Sequence, residues 1–329
     1  MDVYLDFLGC RLNQSELEDL ARRFLAAGCR VVDRPAQADV CVVNTCVVTA
    51  QAERKSRHLL RSLHRDNPAA RIAAVGCHAS LSPDELAEFD GVAWVIPNEE
   101  KERTVEIVGA VETPVPGWGG EGPVVTDFRT RAFVKVQEGC DNHCTYCIVR
   151  NLRGPARSRP LADVVAEVRD QVAAGRREAV LTGVNLGAYG RDLDLAHGLA
   201  DLVAALLARI DLPRLRLSSL EPWDVDLRLL DLWSDPRLCR QLHLPLQSGC
   251  DAVLRRMGRR ITCDEFARLA EAAHARIPDL ALTTDILVGF PGETAAAFER
   301  SLAFVERMDF ARLHVFPFSP RPGTPAAGM

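Results

Sequence analysis

No apolar run in this chain exceeds strand length, and no basic residues precede an apolar stretch at Met1-Asp2-Val3-Tyr4. The first absence excludes a membrane-spanning helix and the second a secretory signal peptide, so a cytoplasmic protein without membrane association is expected. Positive charge is not in excess either. Lys and Arg total 40 against 45 Asp and Glu, the net charge is -5 and the pI is near 5.9. Affinity for nucleic acid therefore has to come from local basic patches and not from the field of the whole molecule. Low-complexity segments and short-period repeats are also missing. What remains is a 329-residue chain, 47% hydrophobic, long enough for two domains with sizeable cores. Its 11 cysteines are an odd number, and with no leader they point to metal ligation or reduced thiols over a disulfide framework.

Strand and helix signals alternate through residues 1–112. Strands are expected over 3–8, 38–43 and 71–75, with an amphipathic helix over 15–27 ended by Gly28 and a second helix, N-capped by Thr49, running to about Arg65. This pattern predicts an α/β domain, a small open parallel sheet with helices on both faces. Residues 113–122 read TPVPGWGGEG, a Pro/Gly stretch without apolar periodicity, and 113–128 is assigned as a linker. Residues 129–329 repeat the alternation in longer units, with strands expected over 132–137, 179–182, 214–218, 241–246, 280–287 and 312–316. Six β-α units suit a partial (β/α)6 barrel of TIM-like type, whose functional residues belong at the C-terminal strand ends.

Directly after the first of these strands come Cys140, Cys144 and Cys147, in Cys-x-x-x-Cys-x-x-Cys spacing. Thiolates hold iron-sulfur clusters. Three of them leave one iron of a four-iron cube open to chelate a reactant. The competing reading is a Cys3His zinc site completed by His143. Three further cysteines, Cys10, Cys46 and Cys77, each end or follow an expected N-terminal strand beside a small or turn-forming residue. In a parallel sheet they emerge from one edge and can converge on a second cluster. Their bland reading is as buried structural thiols, which is also the reading for Cys29, Cys41, Cys239, Cys250 and Cys263.

The cysteine triplet, with Tyr146 just before its last member, resembles the signature of the radical S-adenosylmethionine (SAM) enzymes. A more specific likeness runs through nearly the whole chain. Leu8-Gly9-Cys10-Arg11-Leu12-Asn13, Asn44-Thr45-Cys46-Val47-Val48-Thr49, Ala52-Glu53-Arg54-Lys55-Ser56-Arg57 and Val75-Gly76-Cys77 resemble the N-terminal domain of the radical SAM methylthiotransferases. So do Arg153-Gly154-Pro155-Ala156-Arg157-Ser158-Arg159, Ser218-Ser219-Leu220-Glu221-Pro222, His243-Leu244-Pro245-Leu246-Gln247 and the stretches 284–294 and 317–325. The Val-Val-Thr and Lys-Ser-Arg elements look most like the branch that modifies threonylcarbamoyl-adenosine in tRNA. Other branches act on isopentenyl-adenosine or on a ribosomal-protein aspartate.

The resemblance implies a transferase that installs a thiomethyl group at C2 of the adenine next to the anticodon, using two SAM molecules and two [4Fe-4S] clusters. An inert C–H bond resists acid-base chemistry, so a radical is needed, and a cofactor carries such chemistry. No side chain is assigned as catalytic. The cluster on Cys140, Cys144 and Cys147 would reduce SAM to release a deoxyadenosyl radical, with electrons from a low-potential donor of flavodoxin or ferredoxin type. The cluster on Cys10, Cys46 and Cys77 would hold the sulfur. Candidate SAM contacts are Tyr146, Gly183, Glu221, Gln247, Gly289 and Phe290, all near strand ends or cluster ligands.

Two basic sets are candidates for RNA. Arg54, Arg57, Arg61 and Arg65 share one helix stripe opposite Leu59, Leu60 and Leu63, and Arg150, Arg153, Arg157 and Arg159 follow the radical triplet. Relatives often carry Pro at the position of Arg150 and a small residue at that of Cys250. They also continue into a small β-barrel RNA-binding domain, TRAM. This chain ends at Met329, so weak autonomous affinity for tRNA is expected.

Overall fold

The computed structural model describes residues 1–110 and 130–329; the expected linker at 113–128 lies outside them. Two compact units are formed, Met1–Arg129 together with Asn151–Arg153, and Thr130–Arg150 together with Gly154–Met329.

In the first unit, β1 (Asp2–Phe7), β2 (Arg30–Val32), β3 (Val40–Thr45), β4 (Arg71–Gly76) and β5 (Val92–Ile96) pair in parallel in the order β2-β1-β3-β4-β5. Along β3, Val40 and Val42 pack with Leu17, Leu20 and Phe24 of the helix Arg11–Ala26, while Cys41 and Val43 pack on the opposite face with Leu60 and Leu63 of the helix Ala50–Asp66. A strand covered on both faces has to be apolar throughout, which is why it is legible in sequence. The short strands β2 and β5 at the sheet edges, both partly exposed, are additional to the expected strands. Thr49 caps its helix as expected, accepting from the Ala52 N–H at 3.1 Å. The first helix begins at Arg11, a turn earlier than expected, with Cys10 at its N-cap.

The second unit contains β6 (Arg131–Glu138), a two-residue β7 (Arg157–Ser158) antiparallel to the end of β6, then β8 (Glu178–Gly183), β9 (Arg214–Leu217), β10 (Gln241–His243), β11 (Ala281–Val288) and β12 (Arg312–Pro317). The six long-range strands are parallel, and bridges Leu215–Leu238 and Ser219–His243 carry the pairing from β9 to β10. They curl into the expected half-barrel. Ala132, Val134 and Val136 of β6 pack on Val164, Val165 and Val168 of the helix Leu161–Ala173, and Leu282 and Ile286 of β11 pack with Phe266 and Phe304 of the helices Cys263–Arg276 and Ala295–Arg307 on either side of that strand in the chain. Alternation puts their neighbours, among them Gln137 and Asp285, on the inner wall.

β10 is shorter than expected because Pro245 has no N–H for the ladder. The Thr284 hydroxyl takes over, accepting from the Leu246 N–H at 2.9 Å and donating to the Leu244 carbonyl at 2.6 Å. Backbone pairing resumes at Gln247, whose N–H reaches the Asp285 carbonyl at 2.8 Å with φ at +77°.

Candidate cluster and cofactor sites

The sheet order of the first unit has its switch point between β1 and β3, where connections leave in opposite directions. Open α/β sheets bind ligands there, outside the carboxyl ends of the strands. Cys10 follows β1, Cys46 follows β3 directly, and Cys77 follows β4 as the first residue of the helix Cys77–Leu81. Gly9 lies at φ +99°, where a Cβ would stand 2.6 Å from Cys46 Sγ. Glycine thus leaves room for the cysteine beside it. The Ser56 hydroxyl clasps the backbone of Cys46, accepting from its N–H at 3.1 Å and donating to its carbonyl at 2.9 Å. Burial pushes the Cys46 thiol up to about 11, with Cys77 and Cys10 near enough to add to the rise and Arg153 opposing it.

Behind these thiols lies a buried ionic network that sequence reasoning missed. Glu16 pairs with Lys101 Nζ at 2.6 Å and with Arg153 Nη1 at 2.8 Å. Arg153 also donates to Asn13 Oδ1 at 2.8 Å and, through Nε, to Cys77 Sγ at 3.3 Å. The Asn98 amide reaches the same sulfur at 3.5 Å. Arg153 was expected on an RNA-binding surface. Instead it is 5% exposed, with its guanidinium committed to Glu16, Asn13 and Cys77, so it presents no charge to a phosphate. The only sequence signal for the network is helical spacing: Asn13 and Glu16 follow Cys10 at successive i, i+3 steps on one helix.

At the end of β6, Gly139 takes φ +69°, where a Cβ would lie 1.9 Å from the Pro155 carbonyl oxygen. The tight turn hands the chain to Cys140, whose N–H bonds the Gly154 carbonyl at 3.0 Å. Cys144 and Cys147 are joined by a 3.1 Å backbone bond. Burial lifts all three thiols, Cys147 to about 12, with Cys144 and Cys140 contributing. As at Cys77, an arginine attends one sulfur: Arg259 Nη1 lies 3.8 Å from Cys144 Sγ, pairs with Glu221 at 2.7 Å, bonds the Pro245 carbonyl and stacks 4.5 Å over the Trp223 ring. Each triplet therefore has a buried arginine, itself paired with a glutamate, beside one of its sulfurs. That donor set, with a cation beside the sulfur charge, fits an iron-sulfur cluster. His143 is exposed with its ring against the Arg150 guanidinium, an arrangement that competes with zinc ligation.

The expected SAM contacts occupy C-terminal strand ends. Gly183 closes β8, and a Cβ there would stand 2.9 Å from Gln137 Oε1. Glu221 follows β9 with its carboxylate held by Arg259. Gln247 follows β10, and Gly289 follows β11 at φ +71° with nothing within 4 Å of a Cβ, which leaves its Cα side open to a ligand while its N–H donates to Glu293 Oε2 at 2.6 Å. Phe290 is 2% exposed, edge-on to Phe318 at 5.5 Å, and packs in a cluster that Tyr146 flanks. Its ring serves that packing.

Among the basic residues, Arg54, Arg61, Arg65, Arg150 and Arg157 are exposed. Arg57 is held by Glu53 at 2.7 Å and Glu85 at 3.0 Å, and Arg159 by Glu167 and the Lys135 carbonyl. Cys29, Cys41, Cys250 and Cys263 are buried, in keeping with packing roles, and Cys239 is half-buried. No described helix is long and apolar enough to cross a membrane.

Comparison with known proteins agrees with this geometry. Residues 2–96 match the model described as Uncharacterized protein family UPF0004, and residues 134–305 match the Radical SAM superfamily. The chain is 41% identical to the threonylcarbamoyladenosine tRNA methylthiotransferase MtaB of Thermotoga maritima, over 99% of this chain and 77% of that relative. It is 37% identical to the tRNA-2-methylthio-N(6)-dimethylallyladenosine synthase of Geobacillus kaustophilus, over 99% of this chain and 65% of that relative. In fold it is similar to the radical SAM methyltransferase TsrM from Kitasatospora setae, with a TM-score of 0.69 at 18% identity, over 99% of this chain and 75% of that one. The switch-point thiols, the barrel-mouth thiols and this near full-length identity lead to one assignment: the chain belongs to the radical SAM methylthiotransferase family.

Proposed function

We propose that this protein methylthiolates C2 of threonylcarbamoyl-adenosine next to the anticodon in tRNA. The observation that carries the reading is the coincidence of two separate thiol triplets, each built at a strand-end site, with 41% identity to a tRNA methylthiotransferase across 99% of the chain. Cys140, Cys144 and Cys147 would hold one [4Fe-4S] cluster, and Cys10, Cys46 and Cys77 the other. When bound, these clusters and SAM supply the one-electron chemistry and the sulfur that an inert C–H bond requires.

The chain's own residues bind and orient. Arg153 and Arg259 place a fixed positive charge beside Cys77 and Cys144, a counter-charge for the sulfurs of a bound cluster. Gly289 and Gly183 present backbone to SAM, Glu221 is a hydrogen-bond acceptor steadied by Arg259, and Gln247 offers its amide from a strand end. Tyr146, between Cys144 and Cys147 in the chain, would lie against the SAM adenine. Arg54, Arg150 and Arg157 are the exposed cations offered to the RNA backbone, with the half-buried Arg57 and Arg159 as secondary contributors. A cytoplasmic location and a low-potential flavodoxin- or ferredoxin-type donor complete the proposal.

Nucleoside mass spectrometry of tRNA from cells with and without the protein tests it. The methylthio form of threonylcarbamoyl-adenosine should disappear without the protein. Loss of the methylthio dimethylallyl nucleoside instead would reassign the substrate, and unchanged tRNA would turn attention to a ribosomal-protein aspartate.

A further inference from the structure

On the inner wall of the half-barrel, three neighbouring strands align a row of polar side chains. In the parallel register Thr283 lies opposite both His243 and Arg312, and Asp285 lies opposite His314, so all five share one side of the sheet. The alternate residues Leu282 and Ile286 are packed among the outer helices. His243 Nε2 is 3.3 Å from Asp285 Oδ2, and His314 Nδ1 is 3.2 Å from Asp285 Oδ1. Thr283 Oγ1 fixes the other nitrogen of His243 at 2.9 Å.

Exposure rises along the row, from 10% at His243 through 22% at Asp285 to 47% at His314. Asp285 is thus anchored from the buried side and in turn orients an accessible imidazole. Burial opposes its ionisation, but hydrogen bonds from His243 and His314 hold its carboxyl below the usual range. Fixing His314 through Nδ1 leaves Nε2 for a ligand, with the exposed Arg312 two residues away on the same side.

We propose that His314, oriented by Asp285 and flanked by Arg312, is the specificity element that reads the carboxylate- and hydroxyl-bearing threonylcarbamoyl side chain of the substrate nucleoside. This rests on the function proposed above. A threonylcarbamoyl group offers an anion, a hydroxyl and N–H groups to an imidazole and a guanidinium. A dimethylallyl group offers hydrocarbon, which would strip water from the imidazole and the guanidinium without replacing its hydrogen bonds. The wall is therefore built for one and against the other.

The test uses the cluster-loaded protein and two anticodon stem-loops that differ only in carrying threonylcarbamoyl- or dimethylallyl-adenosine. His314→Phe should weaken binding of the threonylcarbamoyl RNA about tenfold or more, the loss of one charge-assisted hydrogen bond, and raise KM by a similar factor while kcat holds. Binding of the dimethylallyl RNA should stay level or improve, and His314→Gln, which keeps a polar group, should recover part of the loss. Equal weakening on both RNAs would mean a structural role and overturn the proposal. So would one extra divalent ion per chain, beyond cluster iron, that His314→Phe removes, since two imidazoles and a carboxylate also suit a metal. Wild-type preference for the dimethylallyl RNA would overturn the function together with this inference. A threonylcarbamoyl preference left intact in His314→Phe would overturn this inference alone.

Discussion

Arg153 illustrates how one side chain can be misread from its neighbours in sequence. It sits in a run with Arg150, Arg157 and Arg159, yet its guanidinium is buried and paired with Glu16 beside Cys77. Removing Arg153 leaves Glu16 with Lys101 as its cation but takes a donor from Asn13 and from Cys77, so the cost stays below that of a fully unpaired buried charge, about 3–5 kcal/mol. Arg153→Ala should therefore lower the thermal midpoint and reduce the iron bound at Cys10, Cys46 and Cys77, both measurable on anaerobically reconstituted protein. It should leave the salt dependence of tRNA binding unchanged, the opposite of what a phosphate contact would do. The ligands themselves make a sharper statement. Reconstitution should give about eight irons per chain, and changing either Cys10, Cys46 and Cys77 or Cys140, Cys144 and Cys147 to Ala should remove about half. A wild-type count near four would mean that one triplet is structural.

Elements act here through their ends. The turn from β6 into the radical triplet depends on Gly139, where left-handed backbone and the Pro155 carbonyl leave no space for a methyl group. Gly139→Ala, where a strain-free exchange would stabilise by up to ~1 kcal/mol, should instead destabilise the second unit by more than that and lower iron at Cys140, Cys144 and Cys147; denaturant unfolding and iron analysis read both. Strand interiors behave differently from strand ends. Cys41 lies within β3, and burial pushes its thiol up to about 11, whereas Cys10 caps a helix and is exposed. In the cluster-free protein at pH 8, alkylation followed by peptide mapping should label Cys10 quickly and Cys41 only on unfolding. Rapid native labelling of Cys41 would mean that the first sheet opens readily.

At the scale of the whole molecule, a net charge of -5 means that tRNA has to be held by a few local cations against an unfavourable background field. Arg150 and Arg157 are exposed near the radical triplet, and Arg54 is exposed on its helix. Replacing Arg150 and Arg157 by Ala should weaken tRNA binding and flatten the slope of log affinity against log salt by about two, one per lost phosphate contact. Anisotropy titrations over a range of salt would show it. An unchanged slope would place the RNA elsewhere.

The sequence by itself determined the two α/β regions, the six barrel strands and the placing of two cysteine triplets at strand ends. Those features are local: a doubly covered strand such as β3 must be apolar throughout, a capping Thr49 must precede its helix, and cysteines must follow strands if strand ends are to gather them. Only the tertiary structure decided that Arg153 and Arg259 serve the cysteines, that Phe290 packs inward, that Thr284 repairs the ladder at Pro245 and that His314 meets Asp285. Glu16 and Arg153 are 137 residues apart, and Asp285 and His314 are 29 apart on different strands. Such pairings depend on sheet order and register, and no periodicity within a short window of sequence encodes either.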